Sequence, residues 1–295
     1  MNIALTGSAG YIGSHVLAEL VARGHEVTAA VRNDTEAESA AARGAAPVVV
    51  DLYDRPALVK VLSNTDGAVH LASPGDETSA DLDTAVLDAA IEAFGASGKP
   101  FVQISGLWIY GDNTDIDEAS PINAPAMVAW KEPIQRRLLS QTGMRGIVVV
   151  SSVAYGDAGG AIPGALLGSP RDDAGNLVMV GGGQQHWSNV HVADLAAFFR
   201  RVLEDRTARG TYVVGNGLNP TVSELTDAAA VAAGAPGATA GSDAEARSRF
   251  GDYFAQVLLL DQGTQASRAR IELGWEPTHP GLIEEFRTGS YRQER

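Results

Sequence analysis

Apolar positions in this chain fall into two patterns. Short continuous runs such as Ile3-Ala4-Leu5 alternate with stripes at helical spacing, such as Val16, Leu20 and Val21 set among polar His15, Glu19 and Arg23. The runs predict strands at about 2–6, 26–31, 46–50, 67–71, 100–105 and 145–151, and the stripes predict helices at about 11–23, 35–43, 54–62, 78–97 and 124–142. Strands alternating with helices imply an α/β fold built on a doubly wound parallel sheet. Val48-Val49-Val50 and Ile147-Val148-Val149-Val150 are apolar at every position, as expected of strands covered on both faces. After Gly156 the chain turns irregular and Gly-rich. A helix at about 192–205 and a strand at 211–214 then return to the sheet. Thr221-Val222-Ser223-Glu224 carries the spacing of a capping box.

The bulk chemistry narrows the classes of partner. A chain of 295 residues holds one large domain and a smaller one. Its formal charge of -14 argues against nucleic acid or an anionic membrane as partner, since both need a basic face. With 0 cysteines, disulfides, thiol nucleophiles and Cys-ligated metals are excluded, and no metal site is expected. The chain opens directly on a strand, which reads as no signal peptide, and no apolar run approaches the roughly 20 residues of a membrane span. A cytoplasmic protein acting on a small molecule is expected.

The chemistry begins where the first strand ends, at Thr6-Gly7-Ser8-Ala9-Gly10-Tyr11-Ile12-Gly13. Glycines on a strand-to-helix turn mark a dinucleotide site rather than an ordinary turn. Gly7 permits the tight turn, Gly10 lets backbone approach a pyrophosphate, and Gly13 lets the helix pack on the strand. The amides opening the helix at Tyr11 and Ile12 face the phosphates. At the end of the second strand, where an acidic residue selects NAD, the sequence reads Val31-Arg32-Asn33. Arg32 can pair with a 2′-phosphate and stack on adenine, which favours NADP(H) and leaves NAD open. A solvated Arg32, with Asp34 nearby, is the competing reading.

The spacing G-x-x-G-x-x-G resembles the short-chain dehydrogenase/reductase superfamily, and the form T-G-x-x-G-Y-I-G its extended branch of sugar-nucleotide epimerases, dehydratases and related reductases. The resemblance implies a Rossmann domain over 1–165, with 186–214 returning to it, and a smaller, mostly helical substrate-binding domain over 166–295. It implies an adenine contact at Asp51-Leu52, and an adenosine lining at Leu71 and Ala72 of His70-Leu71-Ala72-Ser73. His70 itself reads as a strand-end histidine. Pairing of the helices at 78–97 and 124–142 into a homodimer is a family habit. Asp81, Asp83, Asp88 and Glu92 give the first of them an acidic face that opposes self-pairing unless Arg136 and Arg137 lie opposite.

For catalysis, the resemblance places a Ser/Thr, Tyr and Lys unit on two segments. Ile104-Ser105-Gly106-Leu107-Trp108-Ile109-Tyr110-Gly111 looks like S-[ST]-x-x-V-Y-G, and Met127-Val128-Ala129-Trp130-Lys131-Glu132 looks like Y-x-x-x-K-x-E. The lysine is present as Lys131, which the family pattern also places on the nicotinamide ribose. The tyrosine position is Met127, whose thioether cannot transfer a proton, and the Ser/Thr position is Gly106, one residue after Ser105. Lys131, Ser105 and Tyr155 are therefore the candidate catalytic residues. Trp108, Met127, Tyr155 and His186 are candidates for the substrate pocket, with Phe250, Tyr253 and Phe254 as further wall candidates. The expected activity is NADP-dependent hydride transfer to a small, largely apolar carbonyl or conjugated C=C compound. The alternatives are a non-catalytic NAD(P)-binding sensor and a sugar-nucleotide epimerase or dehydratase.

Overall fold

The computed structural model describes residues 1–292, and the fold is α/β. In chain order the elements of the main sheet and its helices are β1 (Asn2–Thr6), α1 (Tyr11–Ala22), β2 (Glu26–Val31), α2 (Asp34–Ala42), β3 (Ala46–Val49), α3 (Arg55–Ser63), β4 (Gly67–His70), α4 (Ser79–Phe94), β5 (Pro100–Gly106), α5 (Lys131–Leu139), β6 (Arg145–Ser151), α6 (Val192–Glu204) and β7 (Gly210–Val214). The sheet has seven strands in the order β7-β6-β5-β4-β1-β2-β3. The pairs β1–β2, β1–β4, β2–β3 and β4–β5 are all parallel. Strand order reverses between β1 and β4, whose last residues, Thr6 and His70, lie in register. Such a reversal is where open α/β sheets bind ligands, beyond the carboxyl ends of the strands.

Sequence chemistry explains most boundaries. Asp54 caps α3 by accepting from the Ala57 amide, with Pro56 in the first turn, and Asn33 caps α2 by accepting from the Glu36 amide. The Arg145 guanidinium, at the start of β6, donates to the carbonyls of Val202, Leu203, Asp205 and Ala208, so a cation closes the C-terminal end of α6. Ile147 to Val150 are fully buried. β3 departs from expectation: it is an edge strand, and Val49 is 52 % exposed. The helix expected over 124–142 is shorter. α5 opens only at Lys131, and residues 126–130 form turns ahead of it.

The acidic face expected on α4 is also revised. Asp83 is buried, Asp88 pairs with Arg137 at 2.5 Å, and Glu92 pairs with Arg55 at 2.8 Å. Part of that charge is thus neutralised within the chain.

The chain divides into two compact units. The first comprises Met1–Ser105, Trp130–Val149 and Leu195–Tyr212, and the second Gly106–Ala129, Val150–Asp194 and Val213–Arg295. Three two-stranded pairings lie in the second unit: Val153–Tyr155 with Asn189–His191, Leu177–Val178 with Ala238–Thr239, and Asn113–Ile116 with Gln262–Thr264. Its helix Val222–Ala232 opens on the expected capping box of Thr221 and Glu224, and a second box of Ser242 and Glu245 opens Asp243–Phe250. A hydrophobic core of this unit gathers Tyr155, Trp187, Leu225 and Phe286. No helix among the described residues is long and apolar enough to cross a membrane.

Candidate functional site

The glycine turn has the geometry its sequence demands. Gly7 sits at φ +73°, and a Cβ there would come within 2.6 Å of the Ala72 amide. A Cβ on Gly13 would fall 2.0 Å from the Gly7 carbonyl oxygen. Gly10 differs: its Cβ would meet only the Gly7 oxygen, at 3.3 Å. The fold therefore requires glycine at 7 and 13, whereas at 10 the bare backbone chiefly leaves room for something outside. Gly10 is also the N-cap of α1, which has no side-chain cap and no acidic residue in its first turn. Such a helix start suits an anion. Buried in the turn, Ser8 Oγ has no hydrogen-bond partner among the described residues.

Against this turn lies a cavity of about 570 Å³, bounded within the first unit. Gly7, Gly10, Arg32, Asp51, Leu52, Leu71 and Ala72 all line it. Tyr11, Ile12 and Gly13 form the first turn of α1 beside it. The Asp51 carboxylate accepts from the Tyr53 amide at 2.9 Å, a local turn that keeps it at the wall. Arg32 is 78 % exposed on its side chain and is clasped by Glu36, which accepts from its backbone amide at 3.0 Å and from its guanidinium. Glu36 holds the Arg32 guanidinium above its ordinary value through that hydrogen bond, and Arg32 in return lowers the Glu36 carboxyl. Glu36 is a cavity residue that the sequence reading missed. Its spacing, four residues after Arg32 on the capped start of α2, was the available signal.

Lys131 belongs to a second feature of the first unit, a buried polar chain. Its Nζ lies 3.4 Å from Asp83 Oδ2 and 4.1 Å from the centre of the Trp130 ring. Gln103 donates to the same Asp83 oxygen at 2.7 Å, and His70 Nε2 lies 3.1 Å from Oδ1. His70 Nδ1 in turn lies 2.7 Å from Thr6 Oγ1, which accepts from the amides of Leu71 and Ala72 at 3.2 and 3.3 Å. Burial pulls the Lys131 ammonium below its ordinary value, and Asp83 offsets part of that. Burial pushes the Asp83 carboxyl up, but His70, Lys131 and Gln103 outweigh it and leave it below its ordinary value. Ser105, also buried, is not in this chain of contacts; its hydroxyl accepts from Gln135 at 2.7 Å.

The sequence reading took Asp83 as a surface acid and did not single out Gln103. Both carried a signal. Asp83 stands in the stripe 83, 86, 87, 90, 94 that α4 buries, and Gln103 interrupts the apolar strand Phe101-Val102-Gln103-Ile104.

The remaining candidates lie in the second unit. Tyr155 is fully buried; its hydroxyl donates to the Pro280 carbonyl at 2.7 Å and accepts from Asn216 at 3.2 Å. Burial raises its phenol far above the ordinary value. These contacts pack and anchor Tyr155 within the second unit. His191, edge-on to Tyr155, stacks on His279 at 4.2 Å. Asp194 accepts from the amides of Thr278 and His279 and holds that segment in place. Asp261 accepts from the His186 backbone amide and ring nitrogen at 2.7 and 2.8 Å. Trp108 meets Phe254 edge-to-face, and Phe254 meets Phe250 likewise, while Tyr253 is 68 % exposed. Met127 lies in the turns before α5. At Gly106 an added Cβ would find its nearest neighbour, the Ser151 carbonyl oxygen, 3.9 Å away, so space does not forbid a side chain there.

Residues 3–215 match the NAD dependent epimerase/dehydratase family. An uncharacterized protein of Schizosaccharomyces pombe is 26 % identical over 298 residues, covering 99 % of this chain and 100 % of its own. A 3-diazoavenalumate denitrifying reductase from a Streptomyces species is 26 % identical over 314 residues, covering 95 % of this chain and 97 % of its own. Among solved structures, a human epimerase family protein with NADPH is similar in fold, with a TM-score of 0.75 at 22 % identity and coverage of 98 % and 99 %.

Proposed function

The chain belongs to the NAD dependent epimerase/dehydratase family, and from that premise we propose an NADP-dependent oxidoreductase that transfers a hydride to a small, largely apolar carbonyl or conjugated C=C compound. The observation that carries the reading is the first-unit cavity against the glycine turn. Gly10 and the start of α1 take the pyrophosphate, Asp51 and Leu52 the adenine, and Leu71 and Ala72 the adenosine wall. Arg32 exchanges Glu36 for the 2′-phosphate. The reductase name of the Streptomyces relative and the NADPH of the human structure agree with this reading.

Bound NADPH supplies the hydride. Lys131 would supply the proton: its Nζ ammonium would give a proton to the substrate oxygen as the π pair moves onto that oxygen, and water would later restore it. A general acid of this kind is worth about 10²–10⁴-fold in rate. Lys131→Ala is accordingly expected to lower kcat by about 100-fold or more, measured as NADPH oxidation over a panel of aldehydes, ketones and enones. Retained turnover removes lysine from the reaction. Arg32→Ala is expected to weaken NADPH about 10- to 100-fold, the worth of a charge-assisted contact, and to leave NADH nearly unchanged. Equal loss for both cofactors contradicts the 2′-phosphate role.

A second reading, a dinucleotide-binding sensor, is favoured by one observation: Met127 and Gly106 stand where the family pattern has its tyrosine and Ser/Thr. Tight NADPH binding with no turnover on that panel selects it. Epimerisation or dehydration of a nucleotide sugar, with the cofactor reduced only transiently, selects the third.

A further inference from the structure

Hydrogen-bond bookkeeping fixes the state of the chain that ends on Lys131. Thr6 Oγ1 has two acceptor lone pairs and one proton. The amides of Leu71 and Ala72 take both lone pairs. The hydroxyl proton is then left for His70 Nδ1, 2.7 Å away, so Nδ1 accepts. His70 is therefore the Nε2–H tautomer, assigned from its partners, and Nε2 donates to Asp83 Oδ1 at 3.1 Å. Asp83 Oδ2 accepts from Gln103 at 2.7 Å and faces Lys131 Nζ at 3.4 Å. Four elements converge on this one buried carboxylate: β4 with His70, β5 with Gln103, α5 with Lys131 and α4 itself. The first link, Thr6, ends β1 just before the glycine turn, and the amides it holds belong to two residues that line the cavity.

We propose that Asp83 is the positioning residue of Lys131: it keeps the ammonium charged and aimed, and His70 and Thr6 fix Asp83 to the backbone that lines the nucleotide cavity. The proposal rests on the reading of Lys131 as the acid of the proposed reaction. A lysine buried without a partner gives up its proton, and an adjacent carboxylate restores it. Other charges near Lys131 are engaged elsewhere. On α5, Glu132 pairs with Arg136; on the α4–α5 seam, Asp88 pairs with Arg137. Asp83 is the carboxylate that faces the ammonium, and His70, behind it, is the other titratable group of the chain. The same arrangement serves orientation, since the cation lies over the Trp130 ring.

The chain holds three lysines, Lys60, Lys99 and Lys131, so an NMR titration of the whole protein carrying ¹³C-dimethylated lysines resolves each one. Lys131→Arg assigns the resonance. Asp83→Asn is expected to move the Lys131 midpoint to lower pH and leave Lys60 and Lys99 in place, and Asp83→Glu to recover part of the shift. Gln103 Oε1 has no hydrogen-bond partner among the described residues, so turning that amide offers the new Asn an acceptor and lets the variant fold. In turnover, the alkaline limb of kcat is expected to move down with Asp83→Asn while KM for NADPH stays nearly constant. An unmoved Lys131 midpoint in the folded variant overturns the proposal. Should Asp83→Asn not fold, ¹⁵N ring shifts of His70 in the wild-type protein decide: the Nε2–H tautomer is required, and the Nδ1–H tautomer overturns the chain. Failure of NADPH to bind sinks the functional reading alone, because the lysine titration needs no cofactor.

Discussion

One added carbon separates the glycines of the turn after β1. At Gly13 it would lie 2.0 Å from the Gly7 carbonyl oxygen, with backbone on both sides of the clash. Gly13→Ala is expected to cost about 3 kcal/mol or more in chemical denaturation and to lose NADPH binding with the fold. At Gly10 the nearest atom would be 3.3 Å away and φ is an ordinary -76°. Gly10→Ala is expected to change stability by about 1 kcal/mol or less while weakening NADPH in a fluorescence titration. Equal effects of the two changes would contradict the division of roles. The glycines were legible because each meets backbone near in sequence or at a strand end. Arg32 was legible as a cation at the end of β2, and its clasp by Glu36 was signalled only by the four-residue spacing, whose geometry depends on where α2 begins. Asp83 was hidden by composition. Four acids on one helix suggest a solvated face, yet this one occupies the apolar stripe, and only the convergence of β4, β5 and α5 shows what a buried carboxylate does there.

At the scale of elements, the strands of the main sheet and most of the helices around it were readable, because period and run length agree with caps and turn residues, whereas the two- to four-residue strands of the second unit are too short to show a period. Asp54 is an example: standing just before Pro56 at the start of α3, it accepts from the Ala57 amide at 3.1 Å. Asp54→Ala is expected to cost about 1 kcal/mol, measured as a shift in the urea midpoint; no shift would mean that the cap is idle. The start of α5 was misread, although the chain held the reason. Pro133 has no amide to give and crowds the carbonyl four residues earlier, so it belongs in the first turn of a helix and not inside one running from 124. α5 therefore opens at Lys131, with Pro133 in its first turn. Met127 is left in the preceding turns, off that helix. The covered surfaces of β3 were misjudged for a different reason: an apolar run says that a strand is β, while its place at an edge is set by partners distant in sequence.

At the scale of the whole molecule, buried ionisable groups set the pH range of the fold. Burial first, then Glu118 and Asp117, raise the Tyr110 phenol to about 12. An unfolded tyrosine ionises near pH 10. The neutral phenol's contribution is therefore complete below about pH 10 and is lost as pH rises through about 12. Tyr110→Phe is expected to flatten the alkaline fall in stability between about pH 10 and 12, by roughly 2 kcal/mol, followed by urea denaturation at each pH. An unchanged slope would show that the phenol stays solvated. Asp83 acts with the opposite sign. Its carboxyl is held below the ordinary range, so its contribution is present at neutral pH and is lost as acid protonates it.

The central claim is that the cavity against the glycine turn is an NADP site. It is tested most directly by titrating the purified protein with NADPH and, separately, with NADH, and following cofactor fluorescence. Saturable binding of NADPH at least tenfold tighter than NADH, the ratio that about 1.4 kcal/mol from one charged contact gives, is the expected result. Binding of neither cofactor would contradict the site itself, and tighter binding of NADH would contradict the role of Arg32 while leaving the cavity in place.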